Sequence, residues 1–305
     1  MFFVYITKQA RNLLLKSISK PVRKPYNRDM MPVIDAHTHL FPPDVIKIRD
    51  RIAAQDVRFS LLYASPKARM ADGVELGRYM AEVQIDRAVI TAFPFKDRGL
   101  VTACNDYILE MARRDPKLIP FAMVDVHDES FALVEAERSF SLGARGIGEL
   151  AFYETGFGAT ERKALDSLAD YAEKNDLPLM IHVNEQVGHA YHGKTRMDFQ
   201  ELVALVEAYP QLVMILSHLG GGICFYEFMP EIKKAFARVY YDLAAVPLLY
   251  TKEVYGFMAQ CMPDKVLFGS DYPLLSYKRY VRDLDLLEEE GRQKLLHLNA
   301  RNLFR

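Results

Sequence analysis

From Pro32 onward the chain alternates, eight times over, between a short run rich in β-branched and aliphatic residues and a longer amphipathic stretch. This alternation constrains the fold most, because strands separated by helices pair in parallel within one sheet. The runs fall at 32–37, 87–93, 118–125, 145–150, 178–183, 212–217, 238–243 and 265–270. One of them, Leu212-Val213-Met214-Ile215-Leu216, is apolar throughout, as a parallel strand covered on both faces should be. The stretches between them are 73–83, 100–114, 130–142, 160–175, 198–208, 225–237, 250–261 and 278–289. Their apolar residues recur three and four apart, as at Leu165, Leu168, Ala169 and Ala172, which predicts helices. Eight such units predict one α/β domain, a (β/α)8 TIM barrel, which typically needs about 250 residues.

Two segments exceed that plan. Residues 40–72 contain Pro42-Pro43 and are longer than one crossover requires, so they read as an insertion over the barrel mouth after strand one. The tail, 291–303, reads as a helix closing the base. Residues 1–29 form a basic N-terminal extension with seven Lys or Arg against one acid, and the barrel domain is expected over 30–305. Such a leader resembles a targeting segment but has no clear small-residue cleavage site. Met30-Met31-Pro32 can start a barrel directly, and translation beginning there is the preferred reading.

The formal net charge of −1 argues against nucleic acid as a partner. No run reaches the roughly 18 apolar residues of a membrane span. Cys104, Cys224 and Cys261 lack paired spacing, which argues against disulfides and a thiolate zinc site and for a reducing cytoplasm. All three are expected as small core residues.

In a barrel of this kind the working residues sit at the carboxyl ends of the strands. Strand one ends in His37-Thr38-His39, strand four in Glu149, strand five in His182, strand six in Ser217-His218 and strand eight in Ser270-Asp271. Side chains alternate along a strand, so both imidazoles of the His-Thr-His pair share a face and can form half of a metal site. Taken singly, each residue has an ordinary explanation: a satisfied histidine, a salt-bridged glutamate, an aspartate in a turn before Tyr272-Pro273. Their joint arrival at strand ends points to a metal centre.

Four stretches then make the chain resemble a known family: Ile34-Asp35-Ala36-His37-Thr38-His39, Ser217-His218-Leu219-Gly220-Gly221, Leu267-Phe268-Gly269-Ser270-Asp271-Tyr272-Pro273 and Asn299-Ala300-Arg301-Asn302-Leu303-Phe304. The resemblance is to the amidohydrolase superfamily, in its amidohydrolase-related branch, which includes the aminocarboxymuconate-semialdehyde-decarboxylase-like proteins. It implies His37, His39 and His182 as metal ligands and Asp271 as a further ligand or general base. It implies His218 as the group that polarises the substrate or orients a metal-bound water. Glu149 stands where two-metal members carry a bridging lysine derivative or glutamate, so it is expected to touch the metal. One or two divalent ions are expected, Zn²⁺ first and Mn²⁺ second.

The leading expectation is a hydrolase that cleaves an amide, lactone or other ester-like bond through a metal-activated water, with Asp271 taking its proton and His218 stabilising the developing oxyanion. The alternative is a non-oxidative decarboxylase of an unsaturated or aromatic acid. Decarboxylases of the resembled branch often carry Glu in place of the first strand-one histidine; this chain keeps His37, and that together with Glu149 in Gly148-Glu149-Leu150 tilts the expectation to hydrolysis. A barrel that binds metal without catalysis is the reading from another class, disfavoured because unpartnered buried polar groups are costly. Tyr153, His189, His192 and Arg196 are the expected contacts to a small, carboxylate-bearing substrate. Lys96, Arg98 and Lys194 read equally well as solvated loop residues, and a homodimer is compatible with the sequence.

Overall fold

The computed structural model describes residues 31–304; the expectations for the basic leader lie outside the described residues. Eight parallel strands follow one another in chain order around one sheet. They are β1 (Ile34–His39), β2 (Arg87–Thr91), β3 (Leu118–Ala122), β4 (Gly146–Leu150), β5 (Leu179–Ile181), β6 (Met214–Leu216), β7 (Val239–Asp242) and β8 (Val266–Leu267). Each overlaps its predicted run. The seam between first and last strand is drawn together by backbone hydrogen bonds from Ala36 N to Phe268 O and His39 N to Tyr272 O, both 2.7 Å, and from Asp271 N to His37 O, 3.0 Å. The sheet thus curls into a (β/α)8 barrel.

Ile34, Val89, Phe121, Met180, Ile215 and Leu267 come from strands on opposite sides of the barrel yet belong to one buried cluster. Only the lumen allows that, so it is filled with side chains rather than open. Ala36 joins the cluster, and a regular strand would then turn its neighbour His37 outward. A bulge prevents this. Asp35 pairs with Ala88 and Thr38 with Ile90, three steps on β1 against two on β2. The extra residue lets Ala36 and His37 both face inward. The same device recurs on β4, where Ile147 pairs with Leu179 and Leu150 with Ile181. There Gly148 takes φ 122°, and a Cβ on it would strike the Met180 carbonyl, so only glycine fits beside β5. The next residue, Glu149, is turned into the barrel.

The insertion forms three short helices, α1 (Pro43–Lys47), α2 (Arg49–Gln55) and α3 (Val57–Tyr63). Asp56 caps α3, accepting from Arg58 N at 2.9 Å and Phe59 N at 3.1 Å, while its other oxygen accepts from Lys96 N at 3.0 Å. The outer ring continues as α4 (Gly73–Val83), α5 (Arg98–Arg114), α6 (Glu129–Ser141), α7 (Ala159–Ala164), α8 (Asp166–Lys174) and α9 (Phe199–Ala208). It closes with α10 (Pro230–Ala235), α11 (Val246–Leu249), α12 (Glu253–Cys261), α13 (Lys278–Leu284) and α14 (Glu289–Gln293). The tail ends in a π turn, Lys294–Leu298, and α15 (Asn299–Leu303). Asn299 Nδ2 donates to the Pro263 and Val266 carbonyls at 2.8 Å, and Phe304 meets Phe121 edge-on at 5.8 Å, which plugs the base as predicted. Cys104 and Cys224 are buried, but Cys261 is exposed, because it is the last residue of α12, beyond the turn that Val254, Tyr255 and Met258 bury. Among the described residues no helix is long and apolar enough to cross a membrane.

The insertion is bolted to the mouth by charge as well as by packing. Arg58 is buried and donates to Asp125 at 2.9 Å and to Glu154 at 2.6 Å, and Lys96 meets the other oxygen of Glu154 at 2.7 Å. Removing the guanidinium leaves Asp125 a poorly solvated, unpaired charge. Arg58→Met is therefore expected to lower stability by about 3 kcal/mol, read as a drop in unfolding midpoint. A midpoint equal to wild type would show that this cluster does not hold the insertion.

Candidate metal centre

Every residue expected at a strand end reaches the same spot inside the mouth. His37 Nε2 lies 3.0 Å from His39 Nε2 and 3.4 Å from Glu149 Oε2. Asp271 Oδ1 lies 3.3 Å from His39 Nε2 and 3.9 Å from His37 Nε2. On the other side of Glu149, its Oε1 lies 3.1 Å from His182 Nδ1 and 3.4 Å from His218 Nε2, and these two nitrogens are 3.0 Å apart. The cluster thus divides into two sets of ligating atoms, His37-His39-Glu149 and Glu149-His182-His218, each within 4.8 Å. His182 joins His218 rather than the strand-one pair. Glu149 gives one oxygen to each set.

Residues not singled out in the sequence hold the imidazoles in place. Asp242, at the end of β7, bonds His37 Nδ1 at 2.9 Å and accepts from His218 N at 2.9 Å and Ala244 N at 3.0 Å. The Ala244 carbonyl bonds His218 Nδ1 at 2.8 Å. Asn184 Nδ2 sits 3.0 Å from His182 Nε2, held by its Oδ1, which accepts from Thr195 N at 2.9 Å. Asp35 Oδ1 accepts from Ser270 N at 2.9 Å and His37 N at 3.2 Å, tying β1 to the segment that carries Asp271. Partners of this kind orient metal-bound histidines. The rule that found Glu149 and Asp271, an acid at the carboxyl end of a strand, would also have found Asp242.

The backbone aims the last two side chains. His218 and Asp271 have φ of 59° and 60°, a left-handed conformation that non-glycine residues seldom adopt and that clusters at functional sites. After His218 the chain stays at positive φ through Leu219, Gly220, Gly221 and Gly222. Gly221 packs on the Asn184 carbonyl so closely that a Cβ would strike it.

Charge is balanced within the cluster. Burial raises the Glu149 and Asp271 pKa values, but the surrounding histidines outweigh it. Glu149 falls well below the usual carboxylate range, and Asp271, bonded to His39, falls to about 2. Burial lowers the histidines, but Glu149 and Asp242 hold His37 well above its ordinary value, and Glu149 lifts His218 to about 9. In protein stripped of metal, protons on His37 and His218 therefore balance the two carboxylates.

The cluster forms the floor of a cavity of about 660 Å³. Tyr153, His189 and His192, expected near substrate, line it. Arg196 does not: it is exposed, and its carbonyl accepts from Phe157 N at 2.8 Å where the loop turns back on Gly156. The other loop cations serve the scaffold. Lys96 pairs with Glu154, Arg98 with Asp128, and Lys194 closes its own loop on the Val187 and His189 carbonyls.

The donor set fits a divalent cation. Ligand atoms about 2.1 Å from one ion stand about 3.0–3.4 Å apart in octahedral or tetrahedral geometry; the separations here run from 3.0 to 3.9 Å before any ion draws them in. A barrel with such a centre at the carboxyl ends of its strands is a metal-dependent enzyme scaffold. The chain belongs to the amidohydrolase family, whose model, described as amidohydrolase, matches residues 34–305. Among curated proteins it is similar to gamma-resorcylate decarboxylase of Rhizobium radiobacter, 22% identical over 73% of this chain and 82% of that one. Among solved structures it resembles 5-carboxyvanillate decarboxylase from Novosphingobium aromaticivorans, complexed with manganese and 4-hydroxy-3-methoxy-5-nitrobenzoic acid. The TM-score is 0.71 at 19% identity, covering 92% of this chain and 97% of that one. It also resembles 2,6-dihydroxybenzoate decarboxylase from Rhizobium, with a TM-score of 0.62 at 16% identity over 90% of this chain and 99% of that one. These relatives overturn the expectation that hydrolysis leads, because all three are decarboxylases, the reaction ranked second on sequence.

A cation must displace the protons on the histidines it binds. His37 has a raised pKa, so its protonation stabilises the stripped protein fully below about pH 6.5, a contribution lost as pH rises through its higher folded value. Binding of Mn²⁺ to chelator-treated protein should release protons near neutral pH and tighten as pH rises toward 9. Calorimetry in buffers of differing ionisation heat measures both. Affinity independent of pH from 6.5 to 9 would contradict the protonated cluster.

Proposed function

We propose that this protein is a metal-dependent, non-oxidative decarboxylase of small aromatic carboxylic acids. The observation that carries the reading is the cavity: a charged metal centre forms its floor, and aromatic and aliphatic side chains such as Phe93, Tyr153, Leu248 and Leu274 form its walls. That shape suits a flat, apolar ring bearing one acidic group. The decarboxylase relatives support the same choice.

His37, His39, Asp271 and Glu149 would hold one divalent cation, Mn²⁺ or Zn²⁺, which leaves His218 free of metal. Bound there, the cation supplies positive charge that anchors the oxygens of the substrate. Loss of CO₂ breaks the bond between ring and carboxyl carbon, leaves the electron pair on the ring carbon and requires a proton at that carbon. His218 is the assigned source. Its Nδ1 donates to the Ala244 carbonyl, so the proton it can release sits on Nε2, beside Glu149 and open to the cavity floor. The Glu149 carboxylate, 3.4 Å from Nε2, is placed to orient that proton. Asp271 stays ionised and orients the reacting groups from the opposite side. The apolar walls disfavour a carboxylate more than neutral CO₂ and a dispersed ring charge.

Protein loaded with Mn²⁺ or Zn²⁺ should release CO₂ from hydroxylated benzoates; acid release from lactones or amides with no CO₂ from any benzoate would overturn the reading. His218→Gln should lower kcat by about 10²–10⁴-fold. Glu149→Ala should lose bound metal by elemental analysis. Unchanged stoichiometry and affinity would remove Glu149 from the centre.

A further inference from the structure

The cavity has a second chemical end besides the metal centre. Tyr63, the last residue of α3, and Tyr153, just beyond β4, both line it. They belong to one aromatic wall. Tyr63 stacks on Phe59 at 4.9 Å and meets Phe93 edge-on at 5.6 Å; Tyr153 lies parallel to Phe93 at 5.8 Å and packs on the His182 ring at 5.4 Å. Both rings are therefore fixed, and Tyr153 is fixed directly against the metal centre.

Among the described tyrosines that line the cavity, these two differ from Tyr191 in having nothing to bond. The hydroxyls of Tyr191, Tyr241, Tyr272 and Tyr280 each have a protein partner. Neither the Tyr63 nor the Tyr153 hydroxyl has one among the described residues, and neither is sealed in the core. A half-buried phenol in an apolar wall keeps an unused donor at a cost unless something that enters the cavity accepts from it. The only Arg or Lys among the described lining residues, Arg69, is already bonded to Glu75 and stands over the Tyr272 ring. The cavity thus offers an incoming anion no free Arg or Lys among the described residues.

We propose that Tyr63 and Tyr153 form a hydroxyl pair that donates to the acidic oxygens of the substrate, and that this pair selects carboxylate-bearing aromatic ligands over the same ring without a carboxylate. The inference rests on the decarboxylase reading for the kind of ligand, and on the cavity for the contacts. A phenol ordinarily ionises only at about pH 10, so both hydroxyls are donors in the neutral region. Two donors also hold a planar group in one orientation. The ion cluster of Arg58, Glu154 and Lys96 braces both phenols, because Arg58 shares α3 with Tyr63 and Glu154 follows Tyr153.

The test is binding, measured apart from turnover, on the Mn²⁺-loaded protein. The probes are 4-hydroxy-3-methoxy-5-nitrobenzoic acid and 2-methoxy-6-nitrophenol, the same ring without its carboxylate, each followed by the absorbance of the nitrophenol. Tyr63→Phe and Tyr153→Phe should each weaken the acid about tenfold, the worth of one hydrogen bond to a charged group. The phenol should bind the variants and wild type alike, and metal content and unfolding midpoint should not move. Equal loss for both probes, or an acid affinity unchanged in the double variant, overturns the pair. If wild type binds the acid with the expected selectivity but releases no CO₂ from any benzoate, the decarboxylase reading fails and the pair stands. If wild type binds neither probe, both fall.

Discussion

A carboxylate buried among histidines at the bottom of an apolar cavity is an expensive thing to fold, and the mouth of this barrel is arranged around that expense. Isolated, the charge of Glu149 would be driven to neutralise by its surroundings. Here His37 and His182 hold it ionised, and His39 and His218 complete the ring. Each histidine is in turn pinned or aimed by something further out: Asp242 behind His37, the Ala244 carbonyl behind His218, Asn184 behind His182. Removing any one partner leaves another unsatisfied, so the cluster behaves as a unit. The two bulged strands follow from the same requirement. A lumen packed with aliphatic side chains up to Ala36 must change parity within one residue to present His37, and β4 must do the same to present Glu149.

The insertion solves the complementary problem above the centre. A metal site open to bulk water would hold its charges in a high dielectric and bind a ring weakly. Three short helices close over the mouth, with Phe41, Phe59, Tyr63 and Phe93 packed as one aromatic cluster and Arg58 as its electrostatic rivet. Because α3 delivers both the rivet and Tyr63, the stability of the lid and the shape of the substrate end are one property. The loop after β4 works likewise, since Tyr153 and Glu154 are neighbours.

Much of this was legible in the order of residues. Parallel strands buried on both faces write themselves as apolar runs, which is why all eight could be marked; β1 alone was placed two residues early, its polar His-Thr-His end disguising a strand. The strand-end rule brought out His37, His39, Glu149, His182, His218 and Asp271, and the structure gathers all six. What escaped was long-range or irregular. Arg58 finds Glu154 across 96 positions, and nothing in either neighbourhood announces the other. The bulges have no sequence period, although Gly148 inside an apolar strand was a hint. Tyr63 lay in a segment whose only visible trait was excess length. Arg196 failed as a substrate contact because a cation on a loop signals charge, not direction.

The reaction class was misread for a more general reason. The tilt toward hydrolysis rested on two ligand positions, His37 where glutamate is frequent and Glu149 at the end of strand four, yet a histidine and a carboxylate can hold the same cation at the same place. Ligands decide that a cation is held, whereas the cavity decides what it meets. A hydrolase must admit water and stabilise a tetrahedral oxyanion, which calls for donors around the reacting carbon. A decarboxylase must strip water from a carboxylate and hand one proton to carbon. Here the walls are Phe93, Leu248 and Leu274, the one Arg or Lys among the described lining residues is spent on Glu75, and the donors nearest the metal centre include two phenols and the Nε2 proton of His218. That arrangement, apolar walls over a charged floor, suits an aromatic acid. None of it could be read from the ligand motif, because it is contributed by the insertion and the βα loops, where sequence carries the least pattern and the chemistry is chosen.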